Sequence, residues 1–246
     1  MLTQAVASFK KDSEFKGAIT IDGGGSLKGI TEVAAGIVDI GNSDVSPMEL
    51  NLDGTGLVDH QVAVVAVGVF VSPDVSSNLK EISSSDLKGI YTGVITDWKD
   101  VAGWKGTSLP ITVYYQKSGS GIRVIFEKYA INTMLPDEQI ALFYNFKLNQ
   151  SPSMLQKDIE REKGVIGYEA LPFCSKLKLL KVDGVEPTYE NVYNGEYKIW
   201  GCEHMYTKGE PIGAAKTFIE YVTSEDFGET VTKNGYGLIS EMKVSR

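Results

Sequence analysis

Ser118-Gly119-Ser120-Gly121-Ile122-Arg123 lies between two runs of different period. The run before it, Ile111-Thr-Val-Tyr-Tyr115, is β-branched and aromatic and reads as a strand. The run after it places Ile122, Ile125, Phe126 and Tyr129 at offsets 0, 3, 4 and 7, the spacing of one helix face. A Gly/Ser turn therefore opens a helix. The first N–H groups of a helix have no partner within it, and the aligned peptide dipoles put partial positive charge there. Glycine lets that backbone approach a ligand, and Ser120 adds a hydroxyl. These are the requirements of an anion site at a helix N-terminus. They are also those of an ordinary serine-capped helix, so the rest of the chain has to separate the two readings.

A second Gly loop lies near the start. Ala18-Ile-Thr-Ile21 reads as a strand, and Gly23-Gly-Gly-Ser26 follows it. Next comes a helix with Leu27, Ile30, Val33 and Ala34 inward and Gly36 as its stop. Ile37-Val-Asp-Ile40 reads as a short strand running into the turn-rich Gly41-Asn-Ser-Asp-Val-Ser-Pro47. Strand, loop, helix, strand is the βαβ pattern of a parallel sheet. Before it, Leu2, Ala5, Val6 and Phe9 mark a first helix that ends in the lysines near Asp12.

Val62 to Val71 is apolar on both faces, which predicts a central strand. Beyond Pro73 the pattern restarts at Leu79, Ile82, Leu87 and Ile90, followed by Thr92-Gly93 and Ile95-Thr-Asp-Trp98. A helix is expected from Pro152 to Lys163, stopping at Gly164, with strand-like runs at Val165–Tyr168, Leu177–Val182 and Met205–Thr207. Two helices close the chain: one after Pro211 carrying Ala215, Phe218, Ile219 and Val222, the other from Ser224 to Gly235. In open α/β sheets ligands sit at the carboxyl ends of strands. Two Gly loops so placed, facing each other, would enclose one small anion.

Composition narrows the partners. The 246 residues suffice for one large domain or two small ones, and 42% hydrophobic with 23% charged residues is a globular composition. A net charge of −8 without a basic tract argues against nucleic acid and acidic membranes. The longest apolar run, Val62 to Val71, is about half a bilayer span. Met1 enters a helix pattern at once, so no signal peptide is read here, and the leader of an exported parent would lie outside this chain. Cys174 and Cys202 show no metal spacing, and His60 and His204 are isolated, which predicts structural histidines. The cysteines pair in an oxidising compartment or stay as free thiols, the latter slightly preferred. With no Gly-Lys-Ser/Thr triplet, nucleophile elbow or His–carboxylate pairing, acid–base chemistry would fall on Asp44 alone.

Four motifs in register, Gly23-Gly-Gly-Ser26, Asp39-Ile-Gly-Asn-Ser-Asp44, Ile95-Thr-Asp-Trp-Lys99 and Gly119-Ser-Gly121, resemble the phosphate-binding proteins of bacterial Pst-type ABC transporters. Gly167-Tyr168, Lys181-Val-Asp-Gly184 and Asn234-Gly-Tyr236 continue the match over nearly the whole chain, and the Asn-Ser-Asp-Val version resembles the Gram-positive branch. The resemblance implies an α/β, two-lobed periplasmic-binding-protein (type II, Venus-flytrap) fold with two hinge strands, Val62–Val71 and the stretch around Met205. Lobe one would comprise 1–68 and 205–246, and lobe two 69–204. It implies no catalysis, cofactor or metal. The expected role is that of a monomeric extracytoplasmic protein, held at the plasma membrane by a lipid anchor outside this chain. It would capture inorganic phosphate and deliver it to ABC permease subunits.

Carried onto this sequence, the phosphate-binding set is Ser26, Ser43, Asp44, Gln116, Ser120, Gly121, Ile122 and Arg123. Ser26 would donate its hydroxyl and N–H, and Asp44 would accept the hydrogen of the phosphate hydroxyl. Ser120, Gly121 and the N–H of Ile122 would bind from the other lobe, and Arg123 would pair with Asp44 or fork onto the anion. The sequence departs from the family pattern in three places. Gln116 stands where an arginine is usual, and Ile122 where a threonine is usual. The family's opening strand and Gly-Ser loop are absent, which predicts a swapped or substitute strand or an incomplete lobe one. A ligand-weak or differently specific surface binding module therefore stays open as an alternative, with an enzyme for a phosphorylated substrate behind it.

Overall fold

The computed structural model describes residues 1–12, 15–149 and 152–246. In chain order the helices and strands are α1 (Leu2–Asp12), α2 (Ser26–Ala34), β1 (Gly41–Ser43), β2 (Leu57–Val71), α3 (Pro73–Asn78), β3 (Glu81–Ile82), α4 (Ser84–Tyr91), β4 (Thr112–Tyr115), α5 (Gly121–Tyr129) and α6 (Asp137–Ile140). There follow β5 (Phe146–Leu148), α7 (Pro152–Arg161), β6 (Val165–Ala170), β7 (Lys178–Leu179), β8 (Lys181–Val182), α8 (Tyr189–Tyr193), β9 (Trp200–Lys208), α9 (Gly213–Val222) and α10 (Gly228–Lys233). The chain divides into two compact units: Met1–Val65 with Gly201–Glu241, and Ala66–Trp200 with Met242–Arg246. Strands β2 and β9 each carry the chain from one unit to the other. The last five residues, which the sequence reading gives to lobe one, belong to the second unit. There the Arg246 guanidinium lies 3.4 Å from the ring centre of Tyr129 and 4.2 Å from that of Trp200.

In unit 1 the apolar stripe of α1 does what its spacing predicts. Ala5, Val6 and Phe9 are buried against Val62, Ala63, Met205, Phe218 and Ile219. The Phe9 ring meets Phe218 edge-on at 5.2 Å between centres. β1 runs antiparallel to β9, with Gly41 opposite Tyr206 and Ser43 opposite His204.

The predicted parallel βαβ at this end does not form among the described residues. Ile37–Ile40 is not a strand, because Ile37 belongs to the end of α2. Its N–H donates to the Glu32 carbonyl at 2.9 Å and that of Gly36, at φ +72°, donates to the Val33 carbonyl at 3.0 Å. This is a Schellman closure, and it leaves the Ile37 side chain in solvent. Pairing starts only at Gly41. Ala18–Ile21 also forms no strand, since no neighbouring segment among the described residues offers it a ladder. A cavity of 490 Å³ lies between these two irregular segments, α1 and α9.

Unit 2 realises the parallel α/β pattern. β4 runs parallel to β5 (Val113 opposite Phe146) and to β6 (Val113 opposite Ile166). β6 is antiparallel to β2, from Val67–Ala170 to Val71–Ile166. As predicted for a central strand, Val62–Val71 is buried throughout. The run Leu177–Val182 divides into β7, which pairs with β2, and β8, which lies parallel to β3. The α5 face packs through Phe126, whose ring stacks on Tyr168 at 4.0 Å. The Trp98 indole N–H donates to the Gly164 carbonyl at 2.9 Å. Cys174 and Cys202 are both free thiols.

Candidate anion-binding site

At the start of α2 the backbone is prepared by Gly25, whose φ of 88° and ψ of 174° belong to a region that side chains exclude. No side chain caps this helix, so its first N–H groups keep their hydrogen-bonding capacity. Ser26 is buried and its hydroxyl is tied to Asp44 twice: it accepts the Asp44 backbone N–H at 3.0 Å and donates to Asp44 Oδ2 at 3.2 Å. Two glycines permit this. A Cβ on Gly29 would stand 2.1 Å from the Asn42 carbonyl oxygen, and one on Gly41 would stand 2.2 Å from the Gly29 carbonyl oxygen. Helix α2 thus lies directly on β1, backbone to backbone, and its first residue reaches the turn that follows the strand. Gly41 belongs to a motif read from the sequence, whereas Gly29 belongs to none, although it stands one turn from Ser26 on the inward face.

The β1–β9 ladder ends at Ser43 and His204, which brings Asp44 and Glu203 next to the same end of it. Both carboxyl groups line one cavity, and each alters the charge state of the other. Burial pushes Glu203 well above the usual glutamate range, and the neighbouring Asp44 carboxylate pushes it further. Burial also raises Asp44, opposed by Glu203, by the hydrogen bond from Ser26 and by His204. His204 is fixed in turn, its Nδ1 lying 2.8 Å from Asp59 Oδ1, and His60 Nε2 lies 3.1 Å from Thr207 Oγ1. Both histidines are held within the strands, as a structural role requires. Ser26, Asp44 and Glu203 line the 490 Å³ cavity together with the Gly23–Gly25 loop. Ser43 is adjacent, but its hydroxyl closes the turn, donating to the Val45 carbonyl at 2.6 Å and accepting the Val45 N–H at 3.2 Å.

The α5 end is built differently. Gly119 turns the chain at φ +79°, and Ser120 caps the helix by accepting the Arg123 N–H at 3.3 Å. The Ser120 hydroxyl donates to Gln116 Oε1. The Gln116 amide donates at 3.3 Å to Glu169, a buried carboxylate that also accepts from Asn149 Nδ2 at 3.0 Å and the Ala170 N–H at 2.9 Å. Arg123 is only 5% exposed. Its Nε donates to Glu127 Oε1 at 2.7 Å, its Nη1 to Asp137 Oδ1 at 2.6 Å and the Gln116 carbonyl at 3.2 Å, and its Nη2 to the Leu135 carbonyl.

Arg123, expected to pair with Asp44 or to fork onto an anion, makes its hydrogen bonds inside unit 2. Glu127 stands one turn further along α5, and the segment carrying Leu135 and Asp137 closes over the guanidinium, so four of its five N–H groups are committed within unit 2. Ile122 is buried. What α5 leaves for a ligand is main chain, the N–H groups of Gly121 and Ile122, which have no acceptor among the described residues. Also among the described residues, no cluster of three or more His, Cys, Asp or Glu side chains could hold a metal ion.

Comparison with known proteins adds a family context. The family model described as a PBP superfamily domain matches residues 1–226. The phosphate-binding protein PstS of Bacillus subtilis (strain 168) is 41% identical over 232 residues, covering 93% of this chain and 73% of the relative. Among solved structures, a Clostridium perfringens chain described as a phosphate ABC transporter substrate-binding protein, with phosphate bound, superposes with a TM-score of 0.80 at 26% identity. That match covers 97% of this chain and 94% of the other. An ABC-type phosphate transport receptor from Vibrio cholerae shares the fold, with a TM-score of 0.77 at 19% identity over 96% and 94% of the two chains.

Proposed function

The chain belongs to the PstS family of phosphate-binding proteins, with an α/β periplasmic-binding-protein fold, and on that premise we propose how its residues bind phosphate for an ABC importer. It is a binding protein and not an enzyme. The observation that carries the reading is a carboxylate, Asp44, held by Ser26 beside an uncapped helix N-terminus. A carboxylate is out of place in a site for a fully ionised anion and in place for one that brings a hydrogen. Phosphate near neutral pH retains a hydroxyl, which Asp44 accepts. Sulfate has none, and would set an oxygen lone pair against the carboxylate, at a cost of about 1.5–3 kcal/mol for the charged hydrogen bond forgone.

On this reading the ligand set of unit 1 is Ser26, Asp44 and the first N–H groups of α2, and the main-chain candidates within unit 2 are the N–H groups of Gly121 and Ile122. Ser43, Gln116, Ser120 and Arg123 become positioning residues, because each is occupied by a protein partner. That occupation is also what favours the second reading, a weaker or differently specific binder on the same fold. Titration calorimetry decides: the first reading predicts heat with inorganic phosphate and none with sulfate, and the second predicts little heat with either.

Binding proteins of this family are extracytoplasmic, and no helix among the described residues is long and apolar enough to cross a membrane. Delivery to permease subunits, anchoring by lipid and a monomeric state complete the proposal.

A further inference from the structure

We propose that Glu203 is a specificity-determining residue of the α2 site: its carboxyl group donates a hydrogen bond to Asp44 and so keeps Asp44 an acceptor for the ligand's own hydroxyl. The proposal deepens, and rests on, the phosphate reading of that site. Its first support is register. One residue beyond the Ser43–His204 pair, Asp44 opens the turn after β1 and Glu203 lies on β9, which brings the two next to the same end of the ladder. Both line the same cavity, where each carboxyl group feels the charge of the other.

Two carboxyl groups in contact cannot both be ionised without strong repulsion, so the pair holds one proton between them. The surroundings decide which member carries it. Facing Asp44 are the Ser26 hydroxyl, which donates to Oδ2, and the His204 ring, which favours the charged form. Facing Glu203 is the Asp44 carboxylate. His204 is itself held by Asp59. The Ser26 hydroxyl donates to Asp44 and no such donor faces Glu203 among the described residues, so Asp44 is the carboxylate and Glu203 the acid. Glu203 and Ser26 then occupy two of the roughly four lone-pair positions of Asp44, leaving the others to a ligand hydroxyl.

The consequence is chemical. Were the proton on Asp44 instead, the site would offer a donor, and sulfate would satisfy it as well as phosphate. With the proton on Glu203 the pair carries one negative charge and Asp44 can only accept. Loss of that proton places a second negative charge beside an anionic ligand, so affinity falls as pH rises through the ionisation of Glu203.

Two measurements test this. In the ligand-free protein with carbon-13 at its carboxyl groups, NMR is expected to show Glu203 protonated well above the range of the exposed glutamates, with that signal lost in Glu203→Gln. A Glu203 that ionises together with the surface glutamates overturns the shared proton. Calorimetry with inorganic phosphate between about pH 6 and about pH 9 gives the second readout, both proteins sharing the ligand's own ionisation. Wild type is expected to lose about tenfold more affinity across that range than Glu203→Gln, whose amide stays a neutral donor. Superimposable profiles overturn the role in binding. Absence of heat from wild type at every pH overturns the phosphate reading and the specificity role with it, while the NMR midpoint still decides the shared proton.

Discussion

The starts of α2 and α5 carry similar Gly/Ser motifs and use their polar groups in opposite ways. At α5 the motif is closed on itself: Ser120 caps the helix, Gln116 bridges Ser120 to Glu169, and Arg123 is spent on Glu127, Asp137 and two carbonyls. At α2 no side chain caps the helix, the serine serves a carboxylate, and a cavity lies alongside. One end offers a rigid backbone and the other a titratable side chain. A polar motif therefore becomes a ligand set only after its internal partners have been counted. By that count α5 presents only main-chain amides, and α2 presents a carboxylate held by a serine.

The largest effect that would break this contrast concerns Arg123. If it is scaffolding, Arg123→Ala leaves the Glu127 carboxylate, 2% exposed, without its counter-charge, at a cost of about 3–5 kcal/mol in chemical denaturation. An unchanged denaturation midpoint with lost phosphate affinity would return Arg123 to the ligand set. Next comes the glycine contact under α2. Gly29→Ala forces the helix off β1, costing about 1–3 kcal/mol and separating Ser26 from Asp44, with an expected fall in phosphate affinity of roughly tenfold.

The pH dependence of stability sharpens the same contrast. Glu203 binds its proton more tightly folded than unfolded, so the native state carries more protons than the unfolded chain above the ordinary glutamate value of 4.5. Stability then falls as pH rises from there through the folded midpoint, by at most about 1.4 kcal/mol per pH unit. Glu203→Gln should flatten that slope in thermal or denaturant unfolding. The smallest effect is at Ser120: Ser120→Ala should remove about 1 kcal/mol of capping and leave phosphate affinity nearly unchanged. A tenfold loss of affinity would show that its hydroxyl reaches the ligand after all.

These regions also differ in how far the sequence revealed them. The strand–Gly–helix passage around Gly119 rests on local spacing, and it formed where expected. The equivalent reading at Ala18–Ile21 failed because a strand exists only through its neighbour, and alternation says nothing about whether one is present. Ile37–Ile40 misled for a local reason: the apolar residue after Gly36 completes the helix end rather than starting a strand. Arg123 was visible as a cation beside the loop, but its partner Asp137 lies fourteen residues on and belongs to no motif. Glu203 stands in no motif, and its place beside Asp44 follows from the β1–β9 register, which pairs residues far apart in the chain. Asp44 and Ser26 sit in two of the quoted motifs, and the structure joins them by two hydrogen bonds.

The most direct test is the phosphate-to-sulfate affinity ratio of Asp44→Asn beside that of wild type, by calorimetry at neutral pH. An asparagine amide can donate to sulfate, so the ratio should collapse by about tenfold or more, through weaker phosphate binding and measurable sulfate binding. A ratio equal to that of wild type would mean that Asp44 does not read the ligand's proton.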